Sequence, residues 1–246
     1  MLKIGDPYLA CEIGNTKVKW KVYTFKEGEK EGGSFPVGAP LPERFKEKAL
    51  TLPLYTASVN PPGLTELEKK LPVKFIKVGK DIAVPIKNMT KKPEQVGVDR
   101  LLGALAAYRK FGPSVVVDLG TAVTVNLVEE GPAFVGGLIL PGPDLWAKSL
   151  NEHTAQLPLV RLRSVPSHYI GRDTYEAISC GIAWGMVGAL TFILEKLEEE
   201  RGKLQLCLTG GAAQAFSTYL CHPHKVVPDL VLLGIKEVVE SEEKSD

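Results

Sequence analysis

Two stretches of the chain share one pattern of apolar and polar positions. Each begins with an apolar strand that reaches an acid, continues through one apolar residue and a glycine to polar residues, and resumes as an alternating strand. The first stretch covers residues 8–22 with Glu12 as its acid, and the second covers residues 115–127 with Asp118. The acids are 118 − 12 = 106 residues apart, close to half of the 246 residues. The pattern therefore predicts an internal duplication.

Strands and helices alternate around these two hairpins. Residues 27–42 are typical of a loop with a short strand near residues 33–37. A strand at 54–59, a helix at 64–71 and a strand at 73–78 then follow. This order predicts an α/β fold in which mixed sheets are flanked by helices. The break at Phe111-Gly112-Pro113 divides the chain into two predicted domains, residues 1–111 and 112–246.

Three later segments place candidate residues on predicted elements. Residues 101–108 are strongly helical, so Asp99 lies at or near a helix N-terminus, where it is either a cap or a functional carboxylate. Gly136 and Gly137 interrupt a predicted strand, which indicates a bulge or the close approach of another backbone or ligand. Residues 175–201 form the longest helical pattern, and Thr174 at its start can cap the helix or hold an anionic ligand.

The turn of each hairpin carries the groups that a phosphate site needs. Glycine lets the backbone turn tightly and approach a ligand. Backbone N–H groups and threonine hydroxyls can hold phosphate oxygens, and a carboxylate can hold a cation or its water shell. For either stretch taken alone, an ordinary hairpin with polar turn residues is the alternative. Two copies half a chain apart favour phosphate hairpins that face each other across a cleft.

Composition narrows the class of protein. A formal net charge of +1 gives no reason to expect a nucleic-acid partner or an anionic membrane. The four cysteines are far apart and form no CxxC pair, as is typical of a reducing compartment. No basic-then-apolar leader opens the chain, so no secretory signal is expected. Residues 178–194 are apolar but contain three glycines, which favours a buried helix over a membrane span. These features together predict a cytoplasmic protein.

The layout of two hairpins resembles that of the actin-like, sugar-kinase and Hsp70-type ATPases, which implies two actin-like (ribonuclease-H-like) halves. Six segments resemble type III pantothenate kinases more specifically, and this resemblance extends from Ala10 to at least Phe216. In chain order they are GVDR at 97–100, VDLGTA at 117–122, GGLILPG at 136–142, TAQLP at 154–158, IGRDT at 170–174 and TGG at 209–211. The resemblance implies transfer of the ATP γ-phosphate to the hydroxyl of pantothenate, the first step toward coenzyme A.

The same resemblance implies roles for individual residues. Asp99 matches the family's general base, and Thr174 matches a substrate-contacting threonine. Asp118 matches the aspartate of a monovalent-cation site for K⁺ or NH₄⁺, and Thr121 matches an ATP-contacting threonine. The pantothenate-contacting segment is Gly97, Val98, Asp99 and Arg100, and the first ATP loop is Glu12, Ile13, Gly14, Asn15, Thr16, Lys17, Val18 and Lys19. A homodimer and a divalent cation such as Mg²⁺ are implied as well, with Glu12 holding the divalent cation directly or through water.

The chain departs from the family pattern at two positions. Glu12 stands where the family usually has aspartate, so the carboxylate is one methylene longer, and Mg²⁺ tolerates errors of geometry poorly. Thr90 stands where many members have a tyrosine near the pantothenate pocket. Two other functions therefore stay open. One is a non-catalytic relative that binds nucleotide or pantothenate or acts as a transcriptional accessory protein, and the other is a different kinase or phosphatase of the same fold.

Overall fold

The structure is a computed structural model that describes residues 2–162 and 164–242. This part of the chain contains both strands and helices. The strands are β1 Pro7–Ile13, β2 Lys17–Thr24, β3 Gly28–Pro36, β4 Leu54–Ser58, β5 Phe75–Lys77, β6 Lys87–Asn88, β7 Ser114–Leu119, β8 Ala122–Glu129, β9 Ala133–Pro141, β10 Gln205–Thr209 and β11 His224–Val226. The helices are α1 Glu43–Thr51, α2 Pro61–Lys70, α3 Val98–Phe111, α4 Pro143–Glu152, α5 Thr174–Arg201, α6 Ala213–Ser217 and α7 Leu230–Glu242.

The two mixed sheets repeat one strand order. The first sheet has the order β3-β2-β1-β4-β5, with β1 antiparallel to β2 and parallel to β4. The second has the order β11-β10-β7-β8-β9-β6, with β7 antiparallel to β8 and parallel to β10. Read from β9 to β11, the second sheet repeats the first strand for strand. The repeat confirms the predicted α/β class and the internal duplication.

Glu12 and Asp118 occupy equivalent places in this repeat. Each is the last residue but one of its sheet's central strand, β1 or β7. Glu12 pairs with Lys19 across the antiparallel hairpin, and Asp118 pairs with Thr124. The sequence pattern that linked the two acids is therefore a structural equivalence. That they lie on facing hairpins stays a prediction.

The chain forms two compact units. The first unit contains residues 1–110, 129–135 and 229–246, and the second contains residues 111–128 and 136–228. The break after Lys110 is next to the predicted boundary, but the first unit also takes in a short segment of the β8–β9 turn and the last helix. The predicted division into two continuous domains stays a prediction.

Apolar residues cover both faces of the first sheet. On one face, Trp20 and Phe35 pack against Phe45 of α1 in a buried cluster. On the other face, Tyr8 of β1 packs in a cluster that includes Leu102 of α3 and several residues of α7. A side chain at Gly234 of α7 would overlap the backbone of Leu102, so glycine lets these two helices touch.

The second unit contains the longest helix of the described chain. By length and composition alone, helix α5 could cross a membrane. In the structure, 44% of its most apolar segment is buried. Ile178 and Ile182 on this helix pack with Ala147 of α4 and Val160. Asp173 caps its start by accepting a 2.8 Å hydrogen bond from the backbone N–H of Glu176.

The structure corrects two local predictions and confirms a third. The predicted loop at 27–42 contains a full nine-residue strand, β3, because its polar residues lie on the exposed edge of the sheet and pair with β2. Helix α3 begins at Val98, earlier than the apolar run alone indicated. The predicted close approach at the paired glycines is confirmed, because a Cβ at Gly137 would overlap the carbonyl of Val125.

Candidate functional site

The turn of the β1–β2 hairpin is tight and anchored. The backbone N–H of Gly14 donates to the carbonyl of Lys17 at 3.0 Å, which closes the turn. The amide of Asn60, which caps α2, donates to the carbonyl of Gly14 at 3.1 Å. Asn15 and Thr16 at the tip are exposed. The turn therefore presents backbone and side-chain donors to solvent from a fixed position, as a phosphate loop requires.

The residues of the predicted ATP loop divide into two groups by burial. Ile13 and Val18 are buried in the core of the first sheet, so they can offer a ligand only backbone groups. Glu12 and Lys19 face the other side of the sheet and are partly exposed. The ammonium Nζ of Lys19 lies 3.7 Å from Oε2 of Glu12.

Glu12 belongs to a chain of alternating charges in the first unit. Lys19 also lies 3.5 Å from Oδ1 of Asp229, the residue before α7. Lys21 lies 3.4 Å from Oδ2 of Asp229 and 2.8 Å from Oε2 of Glu29. The strand β2 thus presents two lysines on one face, and both contact the same aspartate.

The start of α3 holds the predicted pantothenate segment. Oδ1 of Asp99 accepts a 2.7 Å hydrogen bond from the backbone N–H of Arg100. The carbonyl of Gly97 accepts from the N–H groups of Arg100 and Leu101. Because Asp99 is already inside the helix, the interpretation that it is the N-cap is wrong. A Cβ at Gly97 would lie only 2.5 Å from Oδ1 of Asp99, so glycine makes room for the carboxylate.

Burial sets the electrostatics of this segment. Burial raises the pKa of Asp99, and hydrogen bonding from the backbone of Arg100 opposes that change. Burial likewise lowers the pKa of Arg100, against the attraction of Asp99. The guanidinium of Arg100 lies 5.3 Å from the ring centre of Phe134. A carboxylate with a raised pKa is a stronger base than an ordinary aspartate.

Thr90 uses its side chain locally. Its hydroxyl donates to Oδ1 of Asn88 at 2.8 Å, and its backbone N–H donates to the same oxygen at 3.1 Å. Asn88 belongs to the short strand β6. Thr90 therefore stabilises the bend after β6, and its role toward a substrate stays a prediction.

In the second unit, glycines surround Asp118 at the end of β7. A Cβ at Gly120 would lie 3.2 Å from Oδ1 of Asp118, and a Cβ at Gly210 would overlap that same oxygen. The backbone N–H of Gly142 donates to the carbonyl of Thr121 at 3.0 Å and holds the turn that follows. Asp118 is partly buried and Thr121 is exposed. The carboxylate is thus held in a cradle in which Gly210 leaves no room for a side chain and Gly120 leaves little.

Thr174 lines a groove of about 650 Å³ in the second unit. Asp173 is the N-cap of α5, so the interpretation of Thr174 as the cap is wrong, and its hydroxyl belongs to the first helical residue. Thr174 is exposed. Apolar and polar residues share the lining: Trp146, Leu150, Leu157, Gly171, Arg172, Asp173, Thr174, Ala177, Ile178, Gly181 and Ile182. Such mixed lining suits a small molecule with polar and apolar parts.

The carboxylates of Glu12 and Asp118 suit cations that also bind the phosphates of a ligand. Mg²⁺ is usually held by one or two carboxylates together with waters and substrate phosphates. Within residues 2–162 and 164–242, no three or more His, Cys, Asp and Glu side chains form a metal cluster. Glu12 and Asp118 each offer hard oxygen ligands beside a glycine turn, which is the donor type that Mg²⁺ and K⁺ prefer.

Sequence reasoning missed several residues of these sites. Asp229 contacts Lys19 from a distant position in the chain, and Lys21 joins the same network through Asp229. The alternation of Lys17, Lys19 and Lys21 along β2 could have indicated a common face, but it identifies no partner for that face. Asn60 could have been found, because an asparagine before Pro-Pro is a strong helix-cap signal.

Comparison with known families gives one match over most of the chain. Residues 8–196 match the family model described as type III pantothenate kinase. A protein of that name from Agathobacter rectalis is 30% identical over 258 residues, which cover 96% of this chain and 98% of the relative.

Solved structures support the fold. A putative 2-dehydro-3-deoxygalactonokinase from Sinorhizobium meliloti has a TM-score of 0.59 at 11% identity, covering 96% of this chain and 99% of that one. A conserved putative Baf family transcriptional activator from Campylobacter jejuni has a TM-score of 0.58 at 22% identity, with the same coverage. At such low identity, these likenesses show the fold alone, which is that of the actin-like and sugar-kinase group.

Proposed function

Because the chain belongs to the type III pantothenate kinase family, we propose that it transfers the γ-phosphoryl group of ATP to the hydroxyl of pantothenate. This reaction is the first step of coenzyme A biosynthesis. The observation that carries the proposal is Asp99, a partly buried carboxylate with a raised pKa, in the segment that resembles the family's pantothenate site. Phosphoryl transfer needs an acceptor oxygen in line with the γ-phosphate and cations that balance charge.

Asp99 is the proposed general base. Its carboxylate would accept the proton of the pantothenate hydroxyl and orient that oxygen toward the γ-phosphate. Arg100, beside it, carries the charge to bind the pantothenate carboxylate through paired hydrogen bonds. Gly97 and Val98 shape the same segment, and Thr174 is the proposed further contact to substrate.

The two hairpin turns are the proposed ATP-binding elements. The turn at Gly14, Asn15 and Thr16 offers donors to phosphate oxygens, and Thr121 offers a hydroxyl from the second turn. Glu12 would hold the divalent cation that accompanies ATP, and Asp118 would hold a monovalent cation, K⁺ or NH₄⁺. When bound, these ions would supply positive charge that offsets the charge of the phosphates.

The proposed assembly is a homodimer in the cytoplasm. Exposed residues of α5 suit contact between copies, because Gly181 and Gly188 have open space beside them and Phe192 is 60% exposed. Sedimentation of the purified protein tests this assembly, and a monomer at micromolar concentration would contradict it. The free thiols of Cys11, Cys180, Cys207 and Cys221 are as expected for a reducing compartment.

A coupled ADP-release assay tests the activity. Pantothenate should support ADP release, and a panel of other small hydroxyl compounds should not, with the phosphorylated product identified by mass. ADP release with a different compound would favour another kinase of the fold. If the protein binds ATP but releases no ADP with any compound, the non-catalytic alternative would replace the proposal.

A further inference from the structure

The side chain of Asn60 makes two hydrogen bonds, which connect α2 with the turn of the β1–β2 hairpin. Its oxygen Oδ1 accepts from the backbone N–H of Gly63 at 3.0 Å and caps α2. Its nitrogen Nδ2 donates to the carbonyl of Gly14 at 3.1 Å. Capping needs only the oxygen of the amide, because the cap accepts a hydrogen bond from the helix. The second bond therefore adds something that a simple helix cap does not supply.

Asn60 reaches the turn from a fixed position. Its backbone N–H donates to Oγ of Ser58 at 3.1 Å, and the N–H of Val59 donates to the carbonyl of Ile13 at 3.2 Å. A Cβ at Gly63 would lie 3.0 Å from Nδ2 of Asn60, so the amide packs closely against the helix that it caps. Because this side chain has little room to move, its contact with the hairpin restrains the turn.

The bond to Gly14 fixes the direction of one peptide group. In a trans peptide, the C=O of one residue and the N–H of the next point in opposite directions. The carbonyl of Gly14 is turned toward Asn60, so the N–H of Asn15 points away from Asn60, and Asn15 is exposed. Glycine tolerates either orientation of this peptide group, so Gly14 does not fix it by itself. If the group turned over, a phosphate would meet a carbonyl oxygen instead of a donor.

We propose that Asn60 is a positioning residue for ATP: it holds the carbonyl of Gly14 and so keeps the N–H of Asn15 directed as a phosphate donor. This inference rests on the proposed role of the first hairpin turn in ATP binding. Asn60 acts only through the peptide group between Gly14 and Asn15. A donor that is already oriented loses less conformational freedom on binding than one that the ligand must order.

Asn60→Ser separates the two functions of the side chain. Serine is about as good a helix cap as asparagine, but it has no amide that could donate to Gly14. The full-length variant should bind a non-hydrolysable ATP analogue with Mg²⁺ about two- to tenfold more weakly than the parent, the range expected for one hydrogen bond. Isothermal titration calorimetry measures this affinity. Asn60→Ala also loses the cap, so it should weaken binding equally but melt at a lower temperature than Asn60→Ser.

Asn151→Ser is the matched control. It removes an equivalent amide bond in the second unit, where Nδ2 of Asn151 donates to the carbonyl of Leu157 at 2.8 Å, and it should bind the analogue as the parent does. Kinetics add a readout that general damage to the fold would not give. Asn60→Ser should raise KM for ATP and leave kcat and KM for pantothenate near the parental values.

Three results would overturn the inference. They are unchanged affinity for the ATP analogue in Asn60→Ser, an equal loss in Asn151→Ser, and a loss confined to the less stable Asn60→Ala. A parent that does not bind the analogue would overturn both the inference and the proposed function. A parent that binds it but shows no pantothenate-dependent ADP release would overturn the proposed function alone, since the binding comparison does not depend on turnover.

Discussion

The α-carbon of Gly210 lies against the carboxylate of Asp118 so closely that a methyl group at this position would overlap Oδ1. The same methyl group would lie 2.6 Å from the carbonyl carbon and 2.7 Å from the nitrogen of Leu119. Gly210 also has φ of +92°, a conformation that side chains rarely adopt. The position of the Asp118 carboxylate therefore depends on a glycine from the neighbouring strand end.

Replacement of Gly210 by alanine should lower stability and shift the carboxylate of Asp118. We expect the free energy of unfolding to fall by about 1–3 kcal/mol, because the new methyl group must displace backbone or carboxylate and the left-handed conformation becomes strained. Urea unfolding measures this loss. Gly211→Ala is the control, because a Cβ at Gly211 meets nothing within 4 Å. Equal stability of the two variants would contradict the cradle around Asp118.

Asp99→Asn should remove catalysis while it preserves the fold. The amide keeps the shape of the side chain but cannot accept the hydroxyl proton, so turnover should fall by about 100-fold or more, the usual scale for loss of a general base. The coupled ADP assay measures turnover. Asp144→Asn, at another aspartate in the first turn of a helix, is the control and should keep parental activity. Normal turnover in Asp99→Asn would leave Asp99 with a structural role only.

The raised pKa of Asp99 gives a pH dependence with a defined sign. As the proposed general base, Asp99 must be ionised, so kcat/KM should rise with pH through a midpoint above the ordinary aspartate value of about 3.9. The folded state holds this proton more tightly than the unfolded state does, so the parent loses stability as pH rises between the two pKa values. The Asp99→Asn variant has no carboxyl group that titrates at this position, so it does not show this loss of stability.

Melting temperatures check the stability part of this prediction. Relative to the parent, the Asn variant should be equally stable or more stable at pH 7, and any advantage should shrink as pH falls below the ordinary aspartate pKa. A variant that is less stable at pH 7 would show that burial does not penalise the ionised carboxylate.

Asp118 should make activity depend on a monovalent cation. In the proposed site, the carboxylate at the end of β7 would hold K⁺ or NH₄⁺ beside the phosphates, so rates in sodium-only buffer should be low and should rise with added potassium. Asp118→Asn should weaken this activation, because the amide lacks the charge that holds the ion. Equal rates of the parent in sodium and potassium buffers would remove the cation role from Asp118.

Activity should depend more on the charge of Glu12 than on the length of its side chain. Glu12→Gln should cost much more activity than Glu12→Asp in a titration with divalent metal, because only Gln lacks the charge that attracts the hydrated cation. Activity of Glu12→Gln equal to the parent would show that Glu12 does not serve the metal. An inactive parent that Glu12→Asp restores would favour the non-catalytic alternative.

The fold was largely predictable because its apolar periods are strong and its repeat is visible in the chain. Glu12 and Asp118 each follow an apolar strand and precede a glycine turn, and both lie at equivalent strand positions. Strand β3 was harder, since an exposed edge strand lacks the apolar alternation that identifies a half-buried strand.

The candidate site was predictable only where its signals are local. The segment from Gly97 to Arg100 could be picked out from its resemblance, but the burial that raises the pKa of Asp99 comes from the packed structure. Asp229 was missed because its partners Lys19 and Lys21 lie more than 200 residues earlier in the chain. Ion pairs between residues far apart in the chain produce no periodic pattern in the sequence.

The packing of α7 against β1, β2 and α3 has a consequence for the order of events during synthesis. The first unit begins with the earliest strands, yet its buried cluster includes Leu232, Ile235 and Val238 from the last helix. A ribosome releases these residues only after all of the second unit has been made. Until this helix emerges, α3 can cover only part of that apolar face, so the earliest strands expose apolar surface that can aggregate or be bound by a chaperone.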